Sequence, residues 1–211
     1  MDIQFIQQLE SILEKPLPGT SAQMKMASFS SSPNFYEVPE DHKVACVMLV
    51  LFPKQNEWNF VLIERNGDDL RDKHAGQLSL PGGKVDDNDK TLEDCALRET
   101  YEEIGINPSL IGILGSLTPL YVKVSNFLVH PFIGFTTEYP KFIAQTSEVS
   151  RIFETPLSLL TDQSFKKTTN IEVRNMVIHN VPTYNIQGKA LWGATAMILS
   201  EFEEIMNSLE F

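Results

Sequence analysis

The chain has 211 residues and a formal charge of −11, from 17 Lys+Arg against 28 Asp+Glu. A hydrophobic share of 42% is enough for one substantial core, and the acidic balance argues against nonspecific binding to nucleic acid or an anionic membrane. No apolar run is long enough to span a bilayer and no signal peptide opens the chain. Cys46 and Cys95 lack CxxC or Cys/His zinc spacing, which excludes a disulfide scaffold and a structural zinc module and makes a reducing cytoplasm the expected setting.

Residues 2–14 place Ile3, Ile6, Leu9 and Leu13 at helical spacing, giving one apolar face. Pro16 and Pro18 stop that helix, and residues 20–34 read as an irregular connector. Residues 1–34 are thus expected to be a helix and connector too small for a core of their own. The helix packs either on the main body, residues 35–211, or on a partner subunit in a homodimer.

The continuous apolar run at 44–52 (VACVMLVLF) suits a strand buried on both faces, with residues 60–64 as its neighbour after a polar turn. A polar loop from Arg65 to Gln77 leads into Leu78-Ser79-Leu80-Pro81-Gly82-Gly83. Residues 92–104 read as a helix stopped by Gly105. Further strands are expected at 111–117, 127–136, 150–156 and 173–179. A one-sided helix is expected over 194–209, with Ala194, Met197, Ile198, Phe202 and Ile205 inward. Mixed strands flanked by helices predict an α/β sandwich with a mixed sheet.

The chemistry concentrates in Arg98-Glu99-Thr100-Tyr101-Glu102-Glu103-Ile104-Gly105. On a helix Glu99, Glu102 and Glu103 share one face. Two carboxylates about 6 Å apart repel by roughly 3 kcal/mol at an effective dielectric near 20, but by far less when solvated. An acidic triplet alone is therefore usually a solvated face. Here the same helix carries Cys95, Ala96 and Ile104, so it has a buried side, and a glycine pair precedes it. Hard cations such as Mg²⁺ or Mn²⁺ take several carboxylate oxygens and keep water for substrate phosphates. His130, set among apolar residues, reads as a core histidine. No P-loop and no G-x-S-x-G elbow is present.

The stretch Gly83-x5-Asp89-x8-Arg98-Glu99-Thr100-x-Glu102-Glu103-x-Gly105-Ile106 resembles the Nudix box. Five fixed matches in R-E-x-x-E-E-x-G arise by chance in roughly one of 10⁴ chains of this length. Asp89 stands where the first Glu is usual, the spacing to Arg98 is one residue longer, and Thr100 replaces an aliphatic residue. Upstream, Leu62-Ile63-Glu64-Arg65 and Lys73-His74-Ala75-Gly76-Gln77-Leu78-Ser79-Leu80-Pro81-Gly82-Gly83 resemble the motif of coenzyme A pyrophosphatases. In that motif Arg71 stands one residue out of register.

The resemblance implies a Nudix-like α/β/α sandwich and Mg²⁺- or Mn²⁺-dependent cleavage of coenzyme A into 3′,5′-ADP and 4′-phosphopantetheine. Glu99, Glu102 and Glu103 are the expected metal ligands, with Glu102 also orienting water, and Arg98 anchors a glutamate. Glu148 is the candidate general base. Arg65, Arg71, Lys73, His74, Gln77, Gly82 and Gly83 are the expected substrate contacts, the glycines through backbone N–H groups. The alternatives are a Nudix pyrophosphatase for ADP-ribose or NADH, and a non-catalytic nucleotide sensor. The expected partner is a small nucleotide, with no nucleic acid or membrane.

Overall fold

The computed structural model describes residues 3–28, 37–67, 74–173 and 176–209. In chain order these form α1 (Ile3–Leu13), α2 (Thr20–Gln23), β1 (Lys43–Lys54), β2 (Glu57–Arg65), β3 (Leu78–Ser79), β4 (Gly82–Lys84), α3 (Leu92–Ile104), β5 (Gly112–Ser116) and β6 (Leu120–Val122). They continue with β7 (Phe127–Phe135), β8 (Val149–Pro156), α4 (Ser158–Thr161), β9 (Lys166–Val173), β10 (Met176–Ile186), β11 (Lys189–Leu191) and α5 (Gly193–Asn207). Among the described residues no helix is long and apolar enough to cross a membrane.

The unbroken apolar run of β1 has a direct cause. Cys46, Met48, Val50 and Phe52 face one core, which α3 covers with Cys95, Ala96 and Ile104. Ala45, Leu49 and Leu51 face a second core, shared with α1 and α5. A central strand with helices on both sides has no polar face to spare. Around it, β1 runs parallel to β7 and antiparallel to β2 and β4, so the large sheet is mixed. β9, β10 and β11 form a separate antiparallel sheet. The α/β/α sandwich with a mixed sheet is therefore the observed architecture.

The β1–β2 hairpin pairs Lys54 with Glu57 and turns through Gln55 and Asn56, both at positive φ. Such a two-residue turn matches the twist of the flanking strands. Cys46 and Cys95 are buried, free thiols.

Four local expectations are revised. In α1, Phe5 is buried and stacks near Trp58, with ring centroids 5.8 Å apart, whereas Ile3 is exposed. The buried positions 5, 6 and 9 are set by that aromatic contact, which helical spacing alone does not reveal. The connector holds α2 and a 3₁₀ turn over Met24–Met26. The strand expected at 173–179 divides between the end of β9 at Val173 and the start of β10 at Met176, which pair antiparallel; residues 174 and 175 lie outside the described residues. Finally, α5 is buried on most of its surface, including Glu201 and Glu203.

Those buried acids explain how α5 tolerates its surroundings. Lys166 Nζ, at 2.5 Å, and the Tyr184 hydroxyl, at 2.8 Å, serve Glu203. Glu201 accepts from the Gly19 N–H at 3.0 Å, Gln23 Nε2 at 3.0 Å and Thr118 Oγ1 at 2.6 Å. One carboxylate thus ties the N-terminal segment to α5 and to the turn before β6. Removing it strands several buried donors, each costing about 1–3 kcal/mol. Glu201→Ala is expected to lower unfolding free energy by about 3 kcal/mol or more in urea titrations. Glu204→Ala, which removes the more exposed Lys25 pair, should cost about 1 kcal/mol or less.

Candidate active site

Two backbone devices fix the acidic helix in place. At its start Thr91 and Asp94 form a reciprocal capping box, with Asp94 N–H donating to Thr91 Oγ1 at 3.0 Å and Thr91 N–H to Asp94 Oδ2 at 3.1 Å. This satisfies end donors that the helix itself cannot. At its end Gly105 takes a left-handed φ of 75°. A Cβ there would also lie 2.8 Å from Ile143 Cβ, so both conformation and space call for glycine.

The acid face is set against the glycine pair. The Gly82 N–H donates to Glu103 Oε2 at 2.8 Å. A Cβ on Gly83 would sit 2.5 Å from Glu99 Oε2 and 2.7 Å from Oε1, so any side chain there would displace Glu99. On the other flank, Arg98 donates from Nε and Nη2 to the two oxygens of Asp89, each at 2.8 Å. Its Nη1 reaches Glu99 Oε1 at 2.8 Å and Glu102 Oε2 at 3.0 Å, and Nη2 also donates to the Lys84 carbonyl at 3.1 Å. One planar fork thus collects three carboxylates and a backbone oxygen, an arrangement Lys could not reproduce.

Burial divides these acids. Glu103 is 1% exposed, and burial raises its carboxyl to about 8 against the opposing pull of the Gly82 N–H and Arg65, while Glu99 and Glu148 push it further up. Burial likewise raises Glu99. Asp89 moves the other way, down to about 2, because Arg98 donates to it.

The three glutamates share one helical face, but their side chains part. Among the described residues no three acidic, His or Cys side chains converge closely enough to enclose an ion. Arg98 draws Glu102 outward, leaving its side chain 54% exposed, while Glu103 turns inward to Gly82. Glu99 and Glu103 nevertheless fit a divalent cation. They are desolvated acids one helical turn apart, with Glu99 pushing Glu103 up, beside a glycine whose missing Cβ leaves room for the Glu99 carboxylate. Such a pair gains from a hard cation with oxygen ligands.

The remaining candidates are brought together in part. Arg65 ends β2 with Nη1 3.8 Å from Glu103 Oε1. Its backbone is bonded to Gln77 and Gly76, at 3.0 and 3.1 Å, and His74 Nδ1 lies 3.2 Å from Gln77 Oε1. Arg65, His74 and Gln77 therefore form one rim beside the acids. Glu148 is exposed but close enough to raise both Glu99 and Glu103. Gly82, expected to offer its N–H to phosphate, gives it to the buried Glu103 carboxylate. Arg71 and Lys73 lie outside the described residues. His130 sits half-buried in β7 opposite Cys46, where burial lowers its pKa.

Two residues with no motif of their own also shape the site. Asn66 and Ser150 brace the strand ends that carry Arg65 and Glu148. Their only sequence signal is a polar side chain at a strand terminus.

The NUDIX domain family matches residues 42–168. An uncharacterized Nudix hydrolase, NudL, from Yersinia enterocolitica is 33% identical over 175 residues, covering 83% of this chain and 86% of that protein. The NudL of Pectobacterium atrosepticum is 38% identical over 145 residues, covering 67% and 72%. Among solved structures, the Nudix hydrolase RenU from M. smegmatis superposes with a TM-score of 0.54 at 14% identity, covering 81% of this chain and 89% of that one. A MutT/nudix family protein from Enterococcus faecalis gives 0.52 at 19% identity, covering 89% and 73%. At these identities the structures establish the shared fold.

A pH experiment follows from the acids. Native Glu103 holds its proton more tightly than the unfolded chain, whose value is the ordinary 4.5. Its contribution to stability is complete below about 4.5 and is lost as pH rises through about 8. Asp89 has the opposite sign, its contribution complete above 3.8 and lost as pH falls through about 2. Because a cation competes with the proton at Glu103, Mg²⁺ should raise the melting temperature over an EDTA-treated sample clearly at pH 8.5 and little at pH 5.5. Glu103→Gln should abolish that difference.

Proposed function

The chain belongs to the Nudix family and is a hydrolase of pyrophosphate bonds in nucleoside diphosphate derivatives; from that premise we propose that its substrate is coenzyme A or a derivative of it, cleaved to 3′,5′-ADP and 4′-phosphopantetheine or the acyl form. The observation carrying this reading is the segment that joins Arg65 to Gly83. Its His74-Ala75-Gly76-Gln77 stretch resembles the coenzyme A pyrophosphatase motif. The described part of that segment folds back on Arg65 beside the acidic helix, so the motif residues border the reacting centre.

In this reading Glu99 and Glu103 hold Mg²⁺ or Mn²⁺, with Glu102 available from its exposed position. A bound divalent cation supplies positive charge to the phosphoryl oxygens and to the attacking water. Arg98 keeps Glu99 and Glu102 oriented while anchored on Asp89. Arg65 neutralises the buried Glu103 and gives a guanidinium for phosphate oxygens. Glu148 stands at the open side of the acids, where it accepts the proton of the attacking water. His74 and Gln77 line the rim toward the rest of the substrate, and Arg71 and Lys73 add positive charge from the same segment. The protein acts in the cytoplasm on a freely diffusing nucleotide.

Two measurements test this. Mass spectrometry of a Mg²⁺-dependent digest should show 3′,5′-ADP from coenzyme A at a higher rate than AMP from ADP-ribose or NADH; the reverse order would replace the substrate assignment. Glu102→Gln and Glu103→Gln should each lower turnover by about a hundredfold or more without loss of the folded state by circular dichroism. Wild-type rates in both would remove the assigned chemistry.

A further inference from the structure

The last turn before β8 is held by an unusual concentration of bonds around one side chain. The N–H groups of Glu148 and Val149 both donate to the Gln145 carbonyl, at 2.9 and 2.8 Å, so residues 145–149 form a single helical turn. The carbonyls of such a turn have no partners within it. Asn66 takes them up. Its N–H donates to the Glu148 carbonyl at 2.7 Å, and its Nδ2 reaches the Thr146 and Ser147 carbonyls at 3.3 and 3.4 Å.

The register of the sheet shows why the turn needs holding. β2 and β8 pair regularly to Glu64 and Arg151, then slip so that Arg65 faces Val149. Ser150 is the extra residue, a bulge, and its hydroxyl donates to the Glu64 carbonyl at 3.1 Å. The slip puts Val149 into the core beneath α3, and so turns the chain just before it toward the acidic helix. On the far side the same segment is bound to that helix, with Gln145 N–H donating to the Glu103 carbonyl at 2.9 Å and Ile143 N–H to Ile104 at 2.8 Å. Glu148 is therefore carried on a turn clamped between the end of β2 and the end of α3.

We infer that Asn66 is a positioning residue for the hydrolytic reaction, its side-chain amide holding the 146–148 turn so that Glu148 stays beside Glu99 and Glu103. This rests on the reading of Glu148 as the proton acceptor. Loss of the amide would leave the main-chain bond to Glu148 and the β2–β8 pairing intact. The turn would loosen while the strand stayed paired. Since small misplacements of a reacting group cost large factors in rate, the effect should fall on kcat.

The test is a double-mutant cycle of Asn66→Ala and Glu148→Gln, assayed with coenzyme A and Mg²⁺. Asn66→Asp serves as a second variant of the same shape without the donor, and thermal melts follow each protein. Glu148→Gln should lower kcat by about 10² or more. Each Asn66 variant should lower kcat by about ten- to a hundredfold with KM within about twofold, and adding either to Glu148→Gln should cost nothing further. Multiplying effects in the double variants, or Asn66 variants at wild-type kcat, would overturn the positioning role while leaving Glu148 in place. Wild-type kcat in Glu148→Gln would instead remove the reading of Glu148, and the inference with it.

Discussion

The structure depends on how closely the backbone at Gly82-Gly83 approaches the acidic face of α3. A side chain at 83 would occupy the space of the Glu99 carboxylate, and the N–H of 82 is the close hydrogen-bond donor to Glu103. β4, which carries these glycines, is pinned to β1 by the pairing of Cys46 with Gly83 and Val47 with Gly82. A central strand buried on both faces thereby sets the position of the acids of α3. Burial of Glu103, the raised carboxyls and the room left at Glu99 all follow from that contact.

Charge explains the rest of the arrangement. A chain of net charge −11 that cleaves a polyanion must concentrate its cations locally, because its overall field repels the substrate. Arg98 donates to Asp89, Glu99 and Glu102 and so holds those acids in order. Arg65 stands against Glu103 at a longer 3.8 Å, a looser pair at the edge of the site. The acids of α3 thus remain undercompensated, which is the condition under which a divalent cation binds in preference to water.

Much of this was legible in the residues, for identifiable reasons. The double-sided burial of β1, the bounds of α3 and its glycine stop, and the shared face of the glutamates are local consequences of period and composition. The inward turn of Glu103, by contrast, depends on a partner twenty-one positions away, and the outward turn of Glu102 depends on where Asp89 anchors Arg98. The division of residues 173–179 between β9 and β10 carries no glycine-rich turn signal in the sequence. Phe5 replaced Ile3 in the core because Trp58, remote in sequence, supplies the surface it packs on. Asn66 and Ser150 were invisible because a bulge in β8 and a carbonyl cluster exist only once two strand ends meet.

The most direct measurement is anomalous diffraction from crystals soaked in Mn²⁺. The account predicts a peak bounded by the Glu99 and Glu103 carboxylates, at about 2.1 Å from an oxygen of each, with Arg98 still seated on Asp89. A structure in which Mn²⁺ at saturating concentration leaves no peak there, and Arg98 and Arg65 alone neutralise the acids, would contradict it.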